Sequence, residues 1–546
     1  MKKAFALAGC FCVLFCVFPA TGGVEDDAII GIRPEALRAH VRFLADDLLE
    51  GRGTATRGHD IASKYVAAQF EAMGLEPGNG GSFFQPIRFR TAEIVTEQTE
   101  LKLLRGGLAE PLVWGEDFIC PPSSSRTELA LTGRVVFVGY GIVAPDLGID
   151  DYQGLDVRGK IVALLPGAPA RLPAADRDRF SSGLAQQDAA KGRGAIGGIA
   201  LWTPEADKTI IPFARLAEDY REPSMAWLGD DGVPNGDIPW APPILAILSE
   251  SGTKKLLAGA ELSKEPAQTL PNGDSLRTEL PVSVSVRSVS KHTESTSQNV
   301  VALLRGSDPK LRNEYVVYTA HLDHLGIGKP VNGDAIYNGA IDDAAGVAAV
   351  IEIARAFQSM KQKPRRSIIF IATTGEEKGL LGSDYYARHP TVPQSQIIAD
   401  INIDSIGLLY DFRDVVVFGS EHSSLGTVVD RVAAKMGLEV SSDGHPERRL
   451  FYRSDQYSFV RIGVPSIFPA YGNKPVDPKV DGAKLRRERA QRYHQPNDDM
   501  SQPMDFEAGA KNSRFDFLLG YTVAQDEDRP VWKDGDFFGK TFGKGK

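Results

Sequence analysis

Between residue 299 and about residue 520, short apolar runs alternate with stretches of helical period. No other feature of this 546-residue chain narrows its fold as much. The runs 300–304, 315–320, 367–372, 397–403, 415–418 and 466–468 have the length and apolarity of buried strands. Helical spacing marks 344–357, 379–388, 425–436 and 506–523, and in the first of these Val347, Val350, Ile351, Ala354 and Phe357 form one stripe. Such alternation predicts an α/β fold: a mixed, mostly parallel sheet flanked by helices. Sites in sheets of this kind lie at the carboxyl ends of the strands.

The first 300 residues differ. Leu37, Val41, Leu44 and Leu48 recur at helical spacing, and a second helix is expected over 59–73, ending at Gly74. Residues 80–115 read as strands. Over 130–280 the runs 135–138, 161–165 and 199–202 are punctuated by Gly and Pro, with a helix ending near Gly194 and a Pro-rich loop over 223–243. This predicts a compact β-rich module of its own. The tail from Asp534 is expected to be loose.

With 42% apolar and 24% charged residues, the chain is globular in composition. Its net charge of −9 and the lack of a dense Lys/Arg block argue against a nucleic-acid partner. Cysteine is too scarce for a disulfide scaffold, and Cys10, Cys12 and Cys16 all fall near the N-terminus. There Lys2 and Lys3 precede an apolar run, 4–18, and the small residues 19–23. That is the layout of a secretory signal peptide, and a run of about 15 residues is short of the roughly 20 a membrane span needs. The expectation is an exported protein, periplasmic or extracellular, cleaved near 20–24 and keeping Cys120 alone. A lipoprotein anchor at Leu7-Ala8-Gly9-Cys10 is the lesser reading, because little apolar chain precedes Cys10.

Acids and histidines collect at the predicted strand ends: His321 and Asp323, Asp342 and Asp343, Glu376 and Glu377, Asp404, and then His494 in a loop. Taken singly, each has an ordinary explanation as a surface or capping residue. Together they supply nitrogen and oxygen donors without thiolates, which suits Zn²⁺ or a neighbouring divalent metal. One carboxylate shared between ions would let the set hold two.

In order, His321-x-Asp323, Gly339-Ala340-x-Asp342-Asp343-Ala344, Glu376-Glu377-x-Gly379-Leu380-Leu381-Gly382-Ser383, Asn402-Ile403-Asp404 and Tyr493-His494-Gln495-Pro496 resemble the motifs of the co-catalytic di-zinc aminopeptidases. These form one metallopeptidase family, family twenty-eight, with glutamate carboxypeptidase. Leu49-Glu50-Gly51-Arg52 and Gly74-Leu75-Glu76-Pro77 resemble its N-terminal helices. Gly139-Tyr140-Gly141-Ile142, Asp150-Asp151-Tyr152 and Gly159-Lys160-Ile161-Val162 resemble an inserted protease-associated domain. The resemblance implies the zinc exopeptidase fold and a domain plan of signal peptide (1–23), first peptidase segment (24–91), insert (92–285), catalytic domain (286–528) and tail (529–546).

It also implies roles. Two Zn²⁺ would share Asp342, with His321 and Asp404 completing one site and Glu377 and His494 the other. Asp323 would orient His321, Glu376 would be the general base toward the bridging water, and the Asp342–Asp343 peptide would be cis. The substrates would be peptides, trimmed from the amino end. The alternatives are a glutamate-carboxypeptidase-like enzyme, a glutaminyl-cyclase-like enzyme with one metal, and a non-catalytic binding protein on the same scaffold. Gln456 departs from the Ser-Asp-His seen in many relatives, and Tyr452 is the candidate phenol for an oxyanion contact. Residues 484–492, rich in arginine, read as a solvated face, and His324 as a supporting residue.

Overall fold

A computed structural model describes residues 24–169, 184–234, 244–260 and 277–543, with positions 172, 177 and 180 besides. The expected signal peptide and its three cysteines lie outside the described residues.

One strand, Thr278–Leu304, organises the molecule. Its second half pairs antiparallel with Phe84–Ile94, and residues 300–304 pair with Ser367–Thr373. Tyr315–His321, Ile397–Asn402 and Ser466–Tyr471 then follow in parallel, Asp414–Phe418 adds antiparallel, and the short Glu439–Val440 pairs onto it in parallel. The sheet is therefore mixed, parallel at its centre, and buried on both faces. Alternation sets the faces: along Ser367–Thr373, Ile368, Phe370 and Ala372 join one core cluster, while Ile369 and Ile371 join another. Helices Pro34–Leu44, Ala345–Ser359, Leu425–Met436 and Phe506–Gln525 cover the first face. Tyr386 and Phe459, from Leu381–Arg388 and Gln456–Val460, cover the second. Helix and sheet approach closely where Gly520 crosses Tyr318: a Cβ there would fall 2.0 Å from the phenol oxygen. That hydroxyl donates to the Asp516 carbonyl at 2.8 Å.

The first half of Thr278–Leu304 belongs to a second sheet, with Glu100–Arg105 and Glu128–Phe137. Ile161–Leu164, Gly197–Leu201 and Ile244–Leu248 extend that sheet in parallel. Leu103, Val135, Ile199 and Leu248 are in a core separate from the main one. The boundary expected at 285/286 thus falls inside a continuous strand.

Two expectations need correction. Within the stretch read as a loop, Ser224–Trp227 is a strand paired with Phe84–Ile94, because Trp227 buries its indole against Ile87, Phe89 and Leu381. The tail is not loose as far as residue 543: Phe537–Thr541 is helical, and Phe538 is buried against Phe451 and Trp532. An aromatic side chain recovers enough by burial to order a polar, Gly-rich segment. No described helix is long and apolar enough to cross a membrane.

Candidate metal centre

The register Tyr315↔Ser367 through His321↔Thr373 brings the ends of neighbouring parallel strands level. His321 closes one strand, Glu376 and Glu377 follow the next, and Asp404 follows Ile397–Asn402. Asp342 and Asp343 sit in the irregular turn Ala340–Ala344 that enters the Ala345–Ser359 helix, joined by a cis peptide. A Cβ on Gly346 would fall 2.2 Å from the Ile403 carbonyl oxygen and 2.3 Å from Asp343 Oδ1. Only glycine lets this helix start so close to the donor loops.

Asp342 stands between the two histidines. Its Oδ1 lies 3.1 Å from His321 Nε2, and its Oδ2 lies 3.2 Å from His494 Nε2. His321 Nε2 is 3.7 Å from Asp404 Oδ1, and His494 Nε2 is 3.3 Å from Glu377 Oε2. The five expected donors therefore converge, with Asp342 facing both ways. Asp343 joins His321 and Asp404 in one group of close donor atoms, and Asp342 and Glu377 join His321 in another. The fit to a cation shows in what these atoms lack: Asp342 Oδ2 and His494 Nε2, 3.2 Å apart, are buried and make no hydrogen bond. Buried polar atoms left unpaired are costly, and lone pairs aimed at one point suit a metal.

Charge is concentrated here. Burial raises the Glu376 carboxyl well above its ordinary range; His321 opposes this, and the charges of Glu377, Asp404 and Asp455 add to it. For Asp342 burial acts the same way, but His321 and His494, close on either side, outweigh it and hold the carboxyl well below its usual range. Burial would lower His494, yet Asp342 and Glu377 lift it to about 9.

The supporting contacts differ in part from expectation. His321 Nδ1 meets the backbone carbonyl of Asp323 at 2.9 Å, not its carboxylate. That carboxylate accepts from Thr54 Oγ1 at 2.8 Å and from the Glu376 N–H at 3.1 Å. Asp323 thus holds the ring with its main chain and the Glu376 loop with its side chain. His324 Nδ1 lies 2.7 Å from Glu377 Oε1. Gln456 is buried, donating to the Phe451 carbonyl and accepting from Asn402 beneath the strand ends. Tyr452 packs with Phe451, Tyr457 and Phe538, under the Arg449 guanidinium, and does not line the cavity that holds Asp342 and Asp404. The phenols that do are Tyr493, stacked on His494 at 3.9 Å, and Tyr471.

Two supports went unnoticed in the sequence. Arg52 is fully buried and donates to the carbonyls of Leu322, Asn338 and Gly339, tying the donor loops together. The only signal for it was its place in the Leu49–Arg52 motif. Asp498 accepts from the backbone of Ile341 and Asp342, and only its position four residues after His494 hinted at this. The arginine-rich 484–492 stretch is a solvated face only in part: within the helix Gly482–Arg492, the exposed Arg487 and the half-buried Arg486 and Arg489 line the same cavity as Asp342.

Residues 299–514 match the family model of Peptidase family M28. A probable zinc metalloprotease of Pyrenophora tritici-repentis is 28% identical over 256 residues, 42% of this chain and 58% of its own length. A probable leucine aminopeptidase 2 of Aspergillus oryzae is 28% identical over 192 residues, 34% of this chain and 36% of its own. The chain thus spans little more than half of such relatives at best. In fold it is similar to an aminopeptidase from Aneurinibacillus sp. strain AM-1, with a TM-score of 0.51, 18% identity, and coverage of 94% of this chain and 99% of that one. All five converging donors lie inside the segment, residues 299–514, that matches peptidase family M28.

Proposed function

We propose that this chain is a zinc-dependent exopeptidase that removes residues from the amino end of peptides. The observation that carries the reading is the convergence of His321, Asp342, Glu377, Asp404 and His494 beside a half-buried Glu376. Support for two ions comes from Asp342, whose two oxygens face different histidines. Zinc, when bound, supplies acidity to a water and polarises a carbonyl. The chain's own residues do the rest. Glu376 accepts a proton from the attacking water and returns it to the departing amine, a role suited to a carboxyl whose pKa is raised above the ordinary range. Asp323 holds one metal donor and the base together, through the His321 ring and the Glu376 N–H. The inserted β-rich module, proposed as a protease-associated domain, stands beside the catalytic sheet. Export is part of the proposal and is supported by the signal-like residues 2–23; the N-terminal sequence of the protein recovered from periplasm or medium tests it.

The main test is hydrolysis of aminoacyl anilides with and without a chelator, together with the metal-to-protein ratio. Full activity in the metal-free protein would sink the mechanism. A stable ratio near one would favour a cyclase-like enzyme instead.

A further inference from the structure

The cavity that contains Asp342 and Asp404 measures about 760 Å³, within the size range of small-ligand sites. Its lining includes five arginines: Arg448, Arg453, Arg486, Arg487 and Arg489. Two are anchored. Arg486 donates to the Tyr410 hydroxyl and the Tyr471 carbonyl, so its geometry is fixed while its charge meets no carboxylate in these contacts. Arg489 lies 3.5 Å from Asp498, and its Nη1 is buried without a hydrogen-bond partner. Arg448, Arg453 and Arg487 are exposed and form no ion pair among the described residues. The lining carboxylates, Asp342 and Asp404, belong to the donor set, where a bound cation would claim their charge.

A chain with net charge −9 has thus gathered cations from two separate segments, 448–453 and 486–489, around one opening beside its donor cluster. Like charges so close repel one another, and a concave wall focuses their field. A guanidinium pairs with a carboxylate through two parallel hydrogen bonds. We propose that this cavity selects peptides bearing a carboxylate, supplied either by an acidic side chain or by the free C-terminus of a short peptide. The proposal rests on the peptidase reading above and adds the substrate class.

The test uses the zinc-loaded full chain and tripeptides with Glu or Gln at each position, each as free acid and as C-terminal amide. One charge-assisted contact is worth about tenfold or more in kcat/KM. A Glu-over-Gln preference of that size assigns the side chain as the source, and a free-acid-over-amide preference assigns the terminus. Arg453→Gln and Arg487→Gln, both at exposed positions, should each shrink the preference, as should raised ionic strength. Calorimetric binding of the same peptides to the Glu376→Gln variant gives a readout independent of turnover. Cleavage with all ratios near one overturns the carboxylate preference and leaves the peptidase standing. If nothing is cleaved but acidic peptides still bind more tightly, the peptidase reading fails and the anion site survives. Absent cleavage with equal binding overturns both.

Discussion

Asp498 grips Asp342 through the main chain: its Oδ2 accepts the Asp342 N–H at 3.2 Å, and its Oδ1 accepts the Ile341 N–H at 3.2 Å. Asp498 is itself fully buried and held by Gln502 and Arg489. The central donor thus owes its orientation to a residue that is no donor. Asp498→Asn would present an amide donor to a backbone donor. Loss of such support typically costs 10–100-fold in metal affinity. A competitive zinc titration should show a fall of about that size, with the circular dichroism spectrum unchanged. Unaltered affinity would remove Asp498 from this role.

Glu376→Gln keeps the shape of the side chain and removes its ability to take a proton. A positioned general base contributes about 10²–10⁴ in rate. The variant should lose roughly that factor in kcat while KM and zinc content stay near those of the parent. Loss of zinc instead would show that Glu376 acts as a donor rather than as a base.

Chelation, not reduction, should weaken the fold. Cys120 is the only described cysteine, buried, with its thiol donating to the Leu245 carbonyl and its pKa pushed up by burial. A reductant therefore has no described disulfide to open. A ligand that binds only the folded state at 100 times its Kd adds about 2.7 kcal/mol. Thermal melts should shift down on adding a chelator, recover with zinc, and not move with a thiol reductant.

The Glu352 carboxylate links stability to pH. Burial would raise its pKa, but His40 at 3.1 Å and Arg355 at 2.9 Å outweigh that and hold it below the ordinary 4.5. A carboxyl depressed in the folded state stabilises fully above its unfolded pKa. That contribution disappears as pH falls through the folded pKa. Melting temperatures measured from pH 7 down to pH 3 should therefore fall less steeply for Glu352→Gln than for the parent. The variant should also start lower at pH 7, because it leaves His40 and Arg355 with a weaker acceptor. Parallel curves would exclude the linkage.

Legibility followed local periodicity. The helix Leu425–Met436 and the strand Tyr315–His321 could be read because burial on one or both faces writes a period into the sequence. The donors could be read because they sit where such strands end. Thr278–Leu304 could not be apportioned, since an alternating strand does not record that its two halves serve different sheets. Arg486 looked solvated because its partners are the backbone carbonyl of Tyr471 and the hydroxyl of Tyr410, more than 70 residues away in the second case. Asp498 and Arg52 were hidden for the same reason: each bonds to backbone groups, which every residue type offers alike.

Besides the shared strand Thr278–Leu304, the insert is tied to the catalytic body at Trp227, and removing that side chain should loosen the tie selectively. The indole Nε1 donates to Asp384 Oδ2 at 2.9 Å, and the ring meets Tyr385 and His389 edge-on. Asp384 also faces Arg388 at 3.0 Å and Arg461 at 3.4 Å, so losing the indole does not strand its charge. Trp227→Phe should cost about 1 kcal/mol, the net worth of one hydrogen bond. Trp227→Ala should cost about 3–5 kcal/mol, because it also opens a cavity between strand and helix. Urea denaturation measures both. In Trp227→Ala, limited proteolysis should cut first within the 92–285 module while the catalytic segment stays intact, since the lost contacts join the two rather than build either core. Cleavage that begins instead in 299–514 would show that Trp227 supports the catalytic sheet itself and not the docking of the insert.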